Sequence, residues 1–267
     1  DAYPDSTLTT PAPYFRKTFR INKPVKQAKA YICGLGFYEM CLNGERVGDQ
    51  VLAPAVTNFD RRSLKKMLYF FDDQSNQRVL YNTFDVTSLV QKAENTVGVL
   101  LGNGWYNQRD RTVEGCMWYD TPRLLCQLEI EYTDGSTELV VTDDSWKTTT
   151  VPLQHDAIFT GEEYDARLEL DGWNRNGYKD SSWKKALLVR APKGSLHAQL
   201  APHEKIAWTL QPVSCEQKDD STYWYAFPEM ISGWAHIKVQ GNAGDRIKLR
   251  FVGEEKNDFG QVDLYTL

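Results

Sequence analysis

The feature that most constrains this chain is the alternation of bulky and polar side chains in short runs, each closed by turn-forming residues. Tyr14-Phe-Arg-Lys-Thr-Phe-Arg-Ile21 sets the pattern. Successive side chains of a strand point to opposite faces, so such a run can bury one face and wet the other. Comparable runs occupy residues 25–33, 39–42, 66–71, 79–84, 96–101, 124–132, 138–142 and 146–150, and again 207–213, 222–227, 235–239 and 246–252. Asn43-Gly44 and Asp134-Gly135 stand between pairs of these runs. Both dipeptides tolerate positive φ, which the tight turns of hairpins require. Helical periodicity is confined to residues 85–93, where Asp85 or Thr87 would cap about two turns. The expectation is an all-β chain.

Composition removes several function classes. The net charge of −5 comes without any basic run, so the chain lacks the positive footprint of a nucleic-acid binder. No apolar stretch approaches the ~18 residues of a membrane helix, and insertion into a bilayer is not expected. The five cysteines include no CxxC pair, and the four histidines have no HxxxH or HExxH spacing. Zinc ribbons, thioredoxin-like redox centres and imidazole metal sites are therefore disfavoured. Cys33 and Cys41 flank a strand–turn–strand and are read as buried free thiols. Ser145, His155 and Asp156 suggest no triad, because no GxSxG elbow is present to hold a nucleophile.

A soft boundary falls near Ala191-Pro-Lys-Gly194, dividing the chain into residues 1–190 and 191–267. The first block reads as a complete β-sandwich. Its segment 171–183 reads as a surface loop pinned by Trp173 and Trp183. The second block holds several strands but no evident closing element, and is expected to be a sandwich domain cut short, leaving unpaired sheet edges.

Several motifs occur in an order that resembles bacterial α-L-rhamnosidases. They are Phe15-Arg-Lys-Thr-Phe19, Gly34-Leu-Gly-Phe-Tyr38, Leu42-Asn-Gly-Glu-Arg-Val-Gly-Asp49, Leu52-Ala-Pro54, Thr83-Phe-Asp-Val-Thr87, Leu100-Leu-Gly-Asn-Gly-Trp-Tyr106, Gly161-Glu-Glu-Tyr-Asp-Ala-Arg167 and Gly172-Trp173. The LLGNGWY and GEEYDAR blocks are the specific ones, since many galactose-binding-like jelly rolls of glycosidases share the rest. The resemblance implies an N-terminal, carbohydrate-binding-module-like jelly roll followed by the start of a second β-domain. The family pattern is broken at Ala226-Phe-Pro-Glu-Met230, where a more polar run is usual. The resemblance also implies that catalysis belongs to a downstream α/α barrel. There a general acid and a base would hydrolyse terminal α-L-rhamnosyl residues with inversion. The chain would then be a non-catalytic scaffold for that barrel, binding L-rhamnose-containing glycans, in a periplasmic or secreted enzyme. A stand-alone lectin-like module is the alternative.

Sugar recognition needs flat apolar faces for the C–H surface of the ring and polar groups that bind hydroxyls in pairs; aromatic rings provide the former at low entropic cost. Asn103, Trp105, Tyr106 and Arg109, with Trp118 and Tyr119, offer this combination in one long loop. Glu162-Glu-Tyr-Asp165 adds carboxylates, and strand alternation sends Glu163 and Asp165 to one face and Glu162 to the other. Glu163 and Asp165 join the carbohydrate candidates; a hydrolytic role for Glu162, Glu163 or Asp165 is the enzymatic alternative. Oxygen ligands suit a hard cation. Some modules that resemble this one bind rhamnose through calcium, which makes Asp49, Asn58 and Asp156 candidate calcium ligands.

Overall fold

The computed structural model describes residues 11–61, 76–109, 118–150, 152–253 and 258–267. Among them are seventeen β-strands and one 3-10 turn at Ala166–Leu168, with no α-helix. The expected strand at 66–71 lies outside the described residues.

Two sheets form the main body. In the first, the order is β12 (Lys184–Lys185), β9 (Lys147–Thr150), β1 (Pro13–Ile21), β6 (Ala93–Leu101), β3 (Tyr38–Leu42) and β4 (Glu45–Arg46). In the second it is β13 (Ser195–Ala198), β5 (Arg78–Asp85), β2 (Val25–Leu35), β7 (Arg123–Tyr132) and β8 (Thr137–Val141). Alternation builds the core between them. Met40, Leu42, Val97, Val99 and Leu101 from one sheet share a buried cluster with Ala28, Ala30, Ile32, Leu128 and Ile130 from the other. Full burial of such a side chain stabilises by about 1.5–3 kcal/mol. Asn43 and Gly44 take φ of +56° and +87° in the β3–β4 hairpin, and Gly135 takes +82° between β7 and β8.

Strand β1 is buried on both faces where one was expected. Phe15, Phe19 and Ile21 face the core. On the other side, Trp173 stacks on Tyr14 with ring centroids 4.4 Å apart, and the Arg16 guanidinium lies beneath segment 171–183. Gly98, beside Arg16 in register, leaves room for the Trp173 ring, since a Cβ there would lie 2.7 Å from it.

The helical expectation at 85–93 is corrected. Only one turn forms, with Leu89 and Val90 donating to the Val86 carbonyl. The Asn95 side chain accepts from the Gln91 amide and donates to the carbonyls of Gln91 and Ala93, which draws the chain straight into β6. A single turn cannot recover the cost of helix nucleation.

A third sheet has the order β10 (Leu153–Ala157), β11 (Gly161–Asp165), β17 (Asp258–Thr266) and β16 (Arg246–Val252). Strand β17 runs parallel to β11, and β13 runs parallel to β5, so two strands of the later segment bond to strands of the earlier one. A separate hairpin joins β14 (Ser214–Gln217) to β15 (Tyr223–Ala226). Residues 207–213 and 235–239, expected as strands, have no ladder partner. Much of this stretch is open to solvent: Trp208 is 66% exposed, and Leu187, Leu200, Ile206, Trp234 and Ile237 are exposed with it.

Cys33 and Cys41 are both free, and lie on β2 and β3 of different sheets. Burial pushes the Cys33 thiol up to about 12, which keeps it protonated and unreactive at neutral pH.

Candidate functional site

The segment following β6 is held from both sides. Gly102 donates its N–H to the Phe37 carbonyl at 2.7 Å. The Asp156 carboxylate accepts from the Asn103 backbone N–H at 2.6 Å and from its side-chain amide at 2.7 Å. Asn103 Oδ1 accepts from Asn107 Nδ2, and Asn107 Oδ1 accepts from Arg109 Nε. The Arg109 guanidinium sits 4.5 Å from the Trp118 ring centroid, a cation–π contact. Asn103, Asn107, Arg109 and Trp118 thus form one relay running outward from Asp156.

The other aromatic residues of this loop have different tasks. Tyr106 is 2% exposed, stacks on Tyr119 and meets Phe59 edge-on, in a small core with Cys33, Leu35 and Val79. Burial pushes its hydroxyl up to about 12. Trp105 is half-buried with its edge against Phe159. Gln108, between Asn107 and Arg109, escaped the sequence reading. It is 1% exposed, yet among the described residues neither its amide nitrogen nor its oxygen has a hydrogen-bond partner. Buried polar groups are almost always matched, and an unmatched one costs about 1–3 kcal/mol. No local pattern marks this Gln.

Alternation on β11 separates the carboxylates. Glu162 pairs with Asp156 on β10, and its backbone N–H donates to the Asp263 carboxylate from β17. Glu163 and Asp165 line a groove of about 290 Å³ on the third sheet, with Arg167, Arg246 and Thr266. Arg167 holds Asp165 in a two-pronged ion pair, Nε to Oδ1 at 2.8 Å and Nη2 to Oδ2 at 2.6 Å. The polar sugar candidates therefore fall into two places, the Asn103–Trp118 relay backed by Asp156 and the Glu163–Asp165 groove, while Tyr106 and Tyr119 belong to a small core.

The candidate calcium ligands each have protein partners. The Asp49 carboxylate accepts from Lys205 Nζ at 2.8 Å, Asp156 serves Asn103, and Asn58 Oδ1 lies 3.5 Å from the Tyr119 hydroxyl. Among the described residues, no group of three or more His, Cys, Asp or Glu is placed to hold a metal ion.

Glu162 is shifted upward, unlike most of the other perturbed acids. Burial, with the negative charges of Asp156, Asp263 and Glu39, pushes its carboxyl up to about 7. By surface area Glu162 is exposed, so water screens much of this effect and its direction is firmer than its size. The folded state then binds a proton that the unfolded chain releases near 4.5, and stability from this group is full below about 4.5 and lost as pH rises to about 7. Asp143, Asp165 and Asp180 are shifted the other way, so their contribution is lost only as pH falls below the ordinary carboxylate range. Glu162→Gln should therefore raise the melting temperature relative to wild type, by a margin that grows between about pH 5 and pH 7 and then levels. A margin independent of pH in that window would remove Glu162 as the cause.

Two facing sheets, an all-β connectivity and a polar, aromatic loop relay at one sheet end define an all-β module. A family model described as the α-L-rhamnosidase N-terminal domain matches residues 23–70 and 71–207, and the chain belongs to that family. An α-L-rhamnosidase of Formosa agariphila is 33% identical over 243 residues, which is 89% of this chain and 24% of the relative. One from Alteromonas sp. is 31% identical over 95% of this chain and 26% of its own length. The chain thus spans about a quarter of the length of the curated relatives it matches. Among solved structures, α-L-rhamnosidase from Dictyoglumus thermophilum superposes with a TM-score of 0.82 at 35% identity, over 96% of this chain and 28% of that one. The Streptomyces avermitilis α-L-rhamnosidase, solved in complex with L-rhamnose, superposes with a TM-score of 0.84 at 29% identity, over 97% and 25%.

Proposed function

We propose that this chain is the non-catalytic N-terminal part of an α-L-rhamnosidase-type glycoside hydrolase. The parent removes terminal α-L-rhamnosyl residues from glycans in the periplasm or outside the cell. Its first sandwich is a galactose-binding-like jelly roll, and the later segment begins a second sandwich that the parent completes. The chain's role is to support the downstream catalytic barrel. The observation that carries this reading is the apolar surface from Leu187 to Val239, including Trp208 and Trp234, which among the described residues no element covers. An isolated module seldom leaves so many large apolar groups in water. Extending the polypeptide through the parent's following region should abolish binding of an apolar dye to this surface. Equal dye binding in the two proteins would refute the scaffold role.

A second reading, an independent rhamnoside-binding module, is favoured by Gln108. A sugar with hydroxyls that both donate and accept would satisfy its buried amide, next in sequence to Arg109, which lies over the Trp118 ring. Calorimetric titration with L-rhamnose, with calcium and then with chelator, tests it. Saturable heat lost in Gln108→Leu supports the site, and its survival in chelator would leave the metal out. Absence of heat at millimolar sugar would leave the scaffold role alone.

A further inference from the structure

The groove on the third sheet has a charge layout that the rhamnosidase reading does not use. Register places Asp165, Thr266 and Arg246 side by side across β11, β17 and β16. The next row on the same face is Glu163, Leu264 and Lys248. One wall therefore carries carboxylates and the opposite wall cations, roughly 10 Å apart across two strand spacings. Thr266, only 9% exposed, and Leu264 make the floor between them. On β16, Arg246, Lys248 and Arg250 are exposed while Ile247, Leu249 and Phe251 between them are half-buried, so the cations form a stripe along an edge strand.

The pairing of these groups decides what the groove can attract. Asp165 and Arg167 neutralise each other through their fork. Among the described residues, Glu163, Arg246 and Lys248 make no ion pair, which leaves two cations facing one anion in a chain of net charge −5. The surplus favours an anionic ligand. Glu163 is exposed and, as a carboxylate, accepts hydrogen bonds but cannot donate them, so a ligand that also carries hydroxyl donors gains a second contact. Sulfate meets the first requirement and offers Glu163 no donor, and hydrogen phosphate offers no C–H face for Leu264. A sugar acid meets both, and Leu264 offers an apolar floor for its C–H face.

We propose that this groove is a binding site for a uronate-bearing oligosaccharide, its carboxylate held by Arg246 and Lys248 and its hydroxyls by Glu163. The site is separate from the Asn103–Trp118 relay, and the proposal goes beyond the rhamnoside reading. Its rival is that the charged stripe only protects the sheet edge from pairing with other chains, as edge lysines and arginines often do.

The test is calorimetric titration of the whole chain at low salt with trigalacturonate and with neutral maltotriose, with L-rhamnose run in parallel. Trigalacturonate should give saturable heat that weakens on adding salt, because exposed ionic contacts are screened. Arg246→Ala should lower the affinity about tenfold or more, the scale expected for losing a charge-assisted pair. Lys248→Ala should lower it less, and neither change should alter any response to L-rhamnose. Both side chains are exposed, so far-UV circular dichroism should be unchanged. Silence with trigalacturonate, equal binding of maltotriose, or undiminished binding in both variants would each overturn the proposal and leave a protective edge. A rhamnose response that fails while uronate binding persists would strike only the second reading of function.

Discussion

Gly36→Ala is expected to destabilise the protein by on the order of 3 kcal/mol and to dismantle the candidate loop. Gly36 has φ +123°, a region that L residues rarely enter, and a Cβ built there would lie 2.0 Å from the Gly102 carbonyl oxygen. That oxygen cannot withdraw freely. Gly102 is fixed to Phe37 by its N–H, and the next residue is fixed to Asp156. Gly104 interlocks from the other side, where a Cβ would approach the Phe37 nitrogen to 2.7 Å. Relief must come from parting the two backbone segments, which breaks the Asn103–Asp156 contacts at the root of the relay. Urea unfolding, with the near-ultraviolet signal of the Trp105 and Trp118 region as a second probe, measures the effect. A loss below about 1 kcal/mol would show that the segments part easily and that the close approach is not a constraint.

Arg16→Ala should cost about 3 kcal/mol or more, the scale for removing one partner of a buried pair. Arg16 is 3% exposed and donates to the carbonyls of Trp173 and Arg175, both at 2.9 Å, to Thr18 and to the Asp180 carboxylate. Alanine leaves those carbonyls unmatched and Asp180 with Lys147 alone. Burial by itself would push the Asp180 carboxyl up, but the Lys147 hydrogen bond and the Arg16 charge outweigh it and hold it below the usual range. Stability from Asp180 is therefore present above the ordinary carboxylate value and lost as pH falls through the lower folded one. In Arg16→Ala this acid-side dependence should shrink. Arg16→Lys should recover part of the stability, since an ammonium keeps one ion pair but cannot reach three acceptors in a fork. Denaturation midpoints across pH 3 to 7 decide it, and wild-type stability in Arg16→Ala would show that segment 171–183 is held by Trp173 and Trp183 alone.

These two positions show what was legible. Phe15, Phe19 and Ile21 alternate, and the core-facing side of β1 follows from their spacing alone. Nothing local singled out Arg16 on the same strand, because the carbonyls it holds lie more than 150 residues away in sequence. The family motifs pointed to the right relatives, and the alternation on β11 correctly divided Glu162 from Glu163 and Asp165. The placement of those acids against Asp263 on one face and Arg246 on the other was hidden, because β17 reaches β11 by a parallel, long-range pairing. Gln108 carried no sign at all.

Strand periodicity, turn dipeptides and the poverty of helical signal are local properties, so the sequence by itself determined an all-β chain and the inward face of most strands. Tertiary structure alone decided which loop residues meet, that Tyr106 belongs to a core, that β1 is covered twice, and where charges oppose across the third sheet. Those outcomes depend on pairings between distant segments, whose free energy comes from shared burial and ion pairing and leaves no mark on either segment alone.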